Sequence, residues 1–550
     1  MIIDGRSISE HQQLKTEICI VGGGPAGIAI ANEFIDTRSE VILVESGGLK
    51  LEPETQTLSA GRVVSVNQSD LKNSRRRQMG GNAHAWNAPI DYKTPGWRCL
   101  PLDSLDFESK DWISHSGWPF KRQDLKPYYE RAHQICGLNE FNYAVEDWQQ
   151  PDSLPLFTSS QHLKTTISQF AHSSIFTSYY PEKIQHANNI RTLVNSTVLQ
   201  VKTSSMAQDV TSLNVVSSKG NKFVISAKIF VLAAGGIENA RLLLLSNEHS
   251  PSGLGNQHDL VGRFFMDHPR IDLGLFIPFS RQFLNRSQLY DIHRVNGSSI
   301  LGAIGLKTEL LIKEKLPNHG IHFYPTYHGH LAQAKISFET IKNYLSQARI
   351  PHKAAHHIHH LIRGHKYFTD VVYWKTWRLL SNSRLGIWSF LPQEKTRFSA
   401  LRLTCQLEQI PLASNRLILS SEQDCFGQNK IELHWQLSDR EVEDLNKITT
   451  IVEQELNHSQ LGYFQPSEQP LNFNFEQLTG HHHLGTTRMH ADPQYGVVDP
   501  DCRLHGINNL FIAGSSVFPT GGYANPTLTI VALAIRLADK IKAIASGHSH

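Results

Sequence analysis

Residues 16–21 (TEICIV) and 41–44 (VILV) are short, unbroken apolar runs, the pattern of strands buried on both faces of a sheet. Between them a glycine turn spans 22–27, and residues 28–34 continue at helical spacing. From 190 to 231 the pattern becomes strand-like stretches divided by polar turns (RTLVNSTVLQV, TSLNVVSS, KFVISAKIFVLAAGG), which predicts a small β-meander feeding back into the first sheet. The glycines of AAGGIENARLLLL then open a helix. Near the other end NLFIAGSSVFPT reads as another buried strand and turn, followed by an apolar helix over 526–545 with Pro526 at its first position and Asn525 at its cap. The chain therefore leaves one α/β layer and returns to it. This predicts one domain from 1–60, 190–250 and 475–550, and a second from 61–189 and 251–474.

The turn carries Gly22-x-Gly24-x-x-Gly27 between a strand and a helix, and Glu45 closes the next strand. That is the dinucleotide fingerprint in its required context. Gly22 permits the tight turn, Gly24 lets the backbone approach a pyrophosphate, and Gly27 allows close helix–strand packing. The helix start at Pro25 and Ala26 offers the phosphate its N–H groups. Glu45 is placed to accept from ribose hydroxyls. The fingerprint alone does not separate FAD from NAD.

At 550 residues the chain is too long for a small binding module, and 40% hydrophobic with 19% charged residues excludes a disordered or fibrous protein. A net charge of +3 points to no particular partner. Cys19, Cys99, Cys136, Cys405, Cys425 and Cys502 form no CxxC pair, so neither a disulfide scaffold nor a thiolate zinc site is indicated, and no metal is expected. The N-terminal residues show no charged-then-apolar leader, and Glu238 and Arg241 interrupt the longest apolar run. A cytoplasmic protein without a transmembrane segment is expected.

The C-terminal block HHHLGTTRMHADPQYGVVDPDCRLHGINNLFIAGSSVFPTGGYANPTLTIVALAIRLADKI, with AAGGIENARLLLLS, GLGNQHDLVGRFFMDHP and RQMGGNAHAW, resembles the glucose-methanol-choline (GMC) family of FAD-dependent oxidoreductases. The likeness runs nearly end to end, and the ANPTLT ending is closer to the pyranose oxidase and fructose or gluconate dehydrogenase branches than to glucose oxidase. It implies a Rossmann-like FAD-binding domain assembled from discontinuous segments, and a substrate-binding domain with an antiparallel sheet and helices. The family's catalytic histidine falls on His482, three residues before Gly485-Thr486, and its partner on Asn525. His481 and His483 point elsewhere if this segment is extended. Oxidising an alcohol needs a base for the hydroxyl proton as hydride leaves carbon for flavin N5, a role that suits imidazole. Asn525 does not ionise and would orient the hydroxyl. The resemblance places Gly80, Gly81, Asn82 and Trp86 in the loop over the isoalloxazine, and adds Ala234, Gly514, Ser515, Pro526 and Thr527 to the FAD contacts.

Two departures matter. The histidine that fungal pyranose oxidases bond to flavin falls on Ala85, with His84 one residue away, so non-covalent FAD is expected. Where many members have an acid after the last strand, this chain has Ala513-Gly514-Ser515. On the substrate side, TCQLEQIPLASNRLILS resembles the sheet that roofs the active site, so Gln406 or Gln409 could reach substrate hydroxyls; an ordinary exposed strand face is an equal reading. Residues 340–393 carry Lys342, Arg349, Lys353, Arg363, Lys366, Lys375, Arg378 and Arg384 against Asp370, with interleaved histidines and aromatics. This is a solvated helical face, a docking surface or a lid; nucleic acid is not the expected partner. The expected function is FAD-dependent oxidation of a CH–OH group on a sugar, polyol or sugar-like alcohol, with oxygen or another acceptor reoxidising the flavin. Sterol or aromatic alcohols, or a flavin-fold binding protein docking through 340–393, remain as alternatives.

Overall fold

The computed structural model describes residues 1–64, 69–90, 95–114, 116–151, 153–280, 283, 286–327, 329–346, 349–351, 353–367, 388, 398–467 and 479–547. A six-stranded parallel sheet runs in the order Ile2–Asp4, Ile190–Val194, Val41–Val44, Ile18–Val21, Ile229–Leu232, Leu510–Ile512. Every residue of Ile18–Val21, Val41–Val44 and Ile229–Leu232 is buried, as a parallel sheet covered on both faces requires. Helices Pro25–Glu33 and Thr527–Ala545 pack together against this layer. Gly27 is what permits the approach, since a Cβ there would stand 2.0 Å from the Gly22 carbonyl oxygen.

The predicted meander divides. Ile190–Val194 joins the parallel sheet beside Val41–Val44, whereas Ser196–Thr203, Val210–Ser217 and Lys222–Ser226 form an antiparallel meander that pairs with Gln13–Lys15. Asn195 makes the break at φ 55°, a left-handed conformation that asparagine tolerates. The last helix also differs from expectation: it begins at Thr527 with Pro526 at its cap, and no side chain caps it.

The second large layer is an eight-stranded sheet whose path is Gly462–Pro466, Arg270–Pro278, Phe398–Leu407, His319–Tyr327, Ser298–Leu306, Leu163–His172, Gly96–Cys99, with His293–Val295 added on Ser298–Leu306. Its pairings are antiparallel. Ile271, Ile321, Phe323, Leu403 and Cys405 bury one face with Leu445, Ile448 and Val452 of helix Asp439–His458. Strand alternation then places Arg98, Arg270, His322 and Gln406 on the other face.

Of the basic segment, Gly329–Ser346 and Ala354–Arg363 are helices packed against each other, and the second has no buried residue. His352, Phe368, Asp370, Tyr373, Trp374, Lys375, Trp377, Arg378 and Arg384 lie outside the described residues. No helix among the described residues is long and apolar enough to cross a membrane.

Candidate active site

Three helices start at one cavity of about 330 Å³. Its lining includes Gly24, Pro25 and Ala26 at the head of Pro25–Glu33, Ala234, Gly235 and Gly236 at the head of Gly235–Leu245, and Pro526 and Thr527 at the head of Thr527–Ala545. None of the three has a side-chain cap, so their first N–H groups and dipoles stay available to an anion. Gly24, Gly235 and Gly514 line this space, and a Cβ added at any of them would meet nothing within 4 Å. They form a backbone cradle open on the cavity side. Gly22 is different, since its φ of +112° and the Ala233 carbonyl oxygen at 2.5 Å exclude a side chain.

Gly81, Asn82 and Trp86 close the wall, with Ala85, Ser515, His481, His482 and His483. Gly80 is held at φ +97° just before this loop, where Cβ would strike His84. His84 itself turns to the Met79 carbonyl oxygen, 2.8 Å from Nε2. Glu45 also lines the cavity, but its carboxylate already accepts from Gly23 N (2.7 Å) and Gly47 N (2.8 Å), and burial raises its pKa. Its first role is to tie the glycine turn to the second strand.

In the cavity wall, Glu238 receives Arg75 Nε at 2.8 Å and Arg77 Nη2 at 2.7 Å, and Arg241 donates to Asp424 at 2.7 Å. Burial alone would raise the Glu238 pKa, yet the three guanidiniums hold it far below the usual carboxylate range. These fixed ion pairs anchor the head of the second helix to the loop at 75–77. The donor set, an open glycine cradle with three uncapped helix starts, fits an anionic dinucleotide.

His482 stands in the cavity wall, and a carboxylate holds its backbone. Asp267 Oδ1 accepts from His268 N at 2.7 Å, from Gly480 N at 3.1 Å and from His482 N at 3.1 Å. His482 Nδ1 meets His268 Nδ1 at 2.9 Å, which leaves Nε2 as the nitrogen available to the cavity. Burial first, then the charges of His268, Arg270 and Arg98, push the His482 pKa well below its ordinary value. His268 is fully buried and lowered to about 3. Both rings are neutral near pH 7, the form in which Nε2 accepts a proton. His481 and His483 do not turn away: both line the same cavity, because His481 adopts φ 55° and breaks the extended alternation.

Asn525 is not a helix cap. Its Oδ1 accepts from Arg98 Nε at 3.2 Å, from Arg98 Nη2 at 2.8 Å and from Gln406 Nε2 at 3.3 Å. With the oxygen pinned, the amide NH₂ is the group left for a substrate oxygen. Gln406 also takes Arg98 Nη2 on its Oε1 at 2.5 Å and donates to the Tyr523 carbonyl at 2.5 Å. Arg98 Nη1 completes the cluster by donating to His322 Nε2. Gln409 is not brought to this cluster. The strand ends at Leu407, so alternation no longer sets its direction, and its Oε1 accepts from Asp267 N and Trp435 Nε1, both at 2.9 Å.

Of the residues singled out in the sequence, Gly22, Gly24, Gly81, Gly514 and His482 line this cavity, and Asn525 and Gln406 join Arg98 in the cluster above; Asp267, His268, Arg98 and His322 were not singled out. Asp267 and His268 lie inside the FFMDHP stretch used for the resemblance, so a signal existed there; Arg98 sits in a short strand with no periodic mark.

The family model "GMC oxidoreductase" matches residues 411–534. The fructose dehydrogenase large subunit of Gluconobacter japonicus is 25% identical over 63% of this chain, a match spanning 53% of that protein. The 2-methyl-1,2-propanediol dehydrogenase of Mycolicibacterium austroafricanum is 20% identical over 96% of this chain and 95% of its own length. Pyridoxine 4-oxidase from Mesorbium loti shares the fold, with a TM-score of 0.56 at 16% identity over 97% of this chain and 100% of that one.

Proposed function

We propose that this chain, which belongs to the GMC oxidoreductases, removes hydride from a CH–OH carbon of a sugar, polyol or sugar-like alcohol. The chain is an oxidoreductase that uses FAD. Bound FAD supplies the hydride acceptor, held by the backbone of Gly22 to Gly27, by Ala234, Gly514 and Ser515, and by Pro526 and Thr527. The FAD-binding domain is assigned to 1–60, 190–250 and 475–550, and the substrate-binding domain to 61–189 and 251–474. Attachment is non-covalent, because His84 is turned to a backbone carbonyl and Ala85 occupies the wall.

The protein's own part is proton chemistry and alignment. In the tautomer that carries its hydrogen on Nδ1, His482 takes the hydroxyl proton at Nε2; the Nδ1–Nδ1 hydrogen bond with His268 fixes the ring while Asp267 fixes the backbone beneath it. The Asn525 amide donates to the same hydroxyl oxygen, and Arg98 prevents that amide from rotating. Oxygen or another acceptor takes the electrons afterwards.

The observation that carries this reading is His482 in the cavity wall, its Nδ1 2.9 Å from His268 Nδ1 and its backbone N–H held by Asp267. The test is anaerobic bleaching of the flavin by a panel of sugars and polyols, in the native protein and in His482→Ala. FAD content should be unchanged in the variant and the reduction rate at least about a thousandfold lower, within the range that general base catalysis contributes. Reduction at the native rate would refute the assignment of the base.

A further inference from the structure

Arg98 stands beside Asn525, inward from the surface, and every partner of its guanidinium is neutral: the Asn525 and Gln406 oxygens and the His322 ring. Four of its five N–H groups are thereby used, and one on Nη1 remains. Arg270 is its electrostatic neighbour. It lies directly opposite Gln406 across the paired strands, and its charge acts on Arg98, His322, His268 and His482 alike. Among the described residues neither arginine forms an ion pair. Three other enclosed cations have carboxylates beside them: Arg75 meets Glu238, Arg241 meets Asp424, and Lys110 meets Glu408.

The imbalance is chemical information about what the site receives. Taking Arg98 out of water without a counter-ion is costly, and an anion brought to it would offset that cost; Arg270 is exposed and solvated until the anion arrives. Burial and the Arg270 charge lower Arg98 to about 10, which leaves it protonated at neutral pH. Neither arginine lines the dinucleotide cavity, so the phosphate-type anions held at the helix starts do not neutralise them.

We propose that the alcohol oxidised here carries an anionic group, as a sugar acid does, and that Arg98 and Arg270 receive its charge while His482 and Asn525 address the hydroxyl. This rests on the CH–OH reading above and names the substrate class within it. The same field disfavours amino sugars, whose ammonium group meets two guanidiniums. Arg270 is exposed and meets the anion first; Arg98, pinned to Asn525, couples its arrival to the group that aligns the hydroxyl.

The experiment reads binding separately from turnover. Anaerobic, oxidised holoenzyme is titrated with acetate and with acetamide, which share a shape and differ in charge, and the flavin absorbance change gives the two affinities. Acetate should bind at least about tenfold more tightly, the difference a charge-assisted hydrogen bond provides. Arg270→Gln should reduce the acetate preference several-fold, with the remainder due to Arg98, while leaving acetamide unchanged. Equal or weaker binding of acetate, or a preference undiminished in Arg270→Gln, overturns the proposal. Glucose, gluconate, glucose 6-phosphate and glucosamine are then mixed with the same enzyme. Faster bleaching by gluconate assigns the anion to a carboxylate, and faster bleaching by the phosphate assigns it to a phosphate ester. Faster bleaching by glucose or glucosamine overturns the proposal and leaves the CH–OH reading standing. Acetate preference with no bleaching by any of the four keeps anion recognition and refutes the CH–OH reading for this series.

Discussion

Replacing Asp267 by alanine tests how the base is held. One carboxylate oxygen accepts three backbone N–H groups, from His268, Gly480 and His482, at 2.7, 3.1 and 3.1 Å. Hydrogen bonds to a charged group contribute about 1.5–3 kcal/mol each, so the three gross about 5–9 kcal/mol. Against this stands the desolvation of a fully buried carboxylate, several kcal/mol, which alanine removes and which raises the Asp267 pKa in the native protein. The net loss of stability is therefore about 2–4 kcal/mol, small enough for a chain of this size to remain folded. The functional loss is larger. Freed from Oδ1, the backbone at 480–482 relaxes, and a displacement of about 1 Å at His482 costs roughly a hundredfold in the hydride step. Gly24, Gly235 and Gly514, the cradle proposed for FAD, make no hydrogen bond with Asp267, so flavin content should stay the same. Stopped-flow reduction of the flavin by a substrate gives the rate, and urea melts give the stability. Asp267→Asn keeps an acceptor oxygen and should recover most of the rate. Asp267→Ala reducing flavin within about threefold of the native rate would refute this account of how His482 is positioned, as would Asp267→Asn behaving no better than alanine.

Gly24 has an extended backbone that any residue adopts and open space where a Cβ would go, so Gly24→Val should fold normally by circular dichroism and be purified without bound flavin. Full flavin content in that variant would show that the cradle lies elsewhere. Lys110 and Glu408 are 1% and 2% exposed and 3.1 Å apart, with Asp106 nearby, so Lys110→Met strands a buried charge and should cost about 3–5 kcal/mol in urea unfolding. His319 is buried and its pKa is lowered to about 4, so the folded protein keeps it neutral while the unfolded chain takes up a proton below about 6.5. Its contribution is present above that pH and is lost as pH falls. Between pH 7.5 and 5.5 the native protein should lose about 1.4 kcal/mol more stability than His319→Gln, and equal losses would show that this histidine is not held neutral.

What the sequence made legible is what local pattern encodes. Unbroken apolar runs at 18–21, 41–44 and 229–232 name strands with two covered faces, and the glycine spacing between the first two names the turn. The boundary at Asn195 was hidden because two strands of different sheets follow each other without a turn residue pair. Asn525 before Pro526 looked like a cap because asparagine is a good one, but a neighbouring guanidinium competes for the same oxygen and wins it. Arg98 was out of reach for a related reason, and the FFMDHP stretch marked the place of Asp267 and His268 without giving their roles. Each acts through a partner more than two hundred positions away, and nothing within a window of chain around Arg98 records that strand pairing will set it against Gln406 and Asn525. Gln406 was legible through its strand, whereas Gln409 escaped the alternation because the strand stops two residues earlier.

The parallel sheet draws its strands from residue 2 through residue 512, and the helix that follows supplies one of the three N-termini at the cavity. During synthesis the strand at 229–232 therefore waits for almost three hundred further residues before its outer neighbour at 510–512 exists. Contacts of such long range form late and slowly, and an unpaired strand edge is the surface on which chains stick to one another. With the flavin site proposed above, free flavin would act as a late fastener: that site is complete only once 510–545 has docked, and binding would draw the docking forward. Flavin starvation should then show first as aggregation of newly made chains rather than as an accumulation of soluble, empty enzyme.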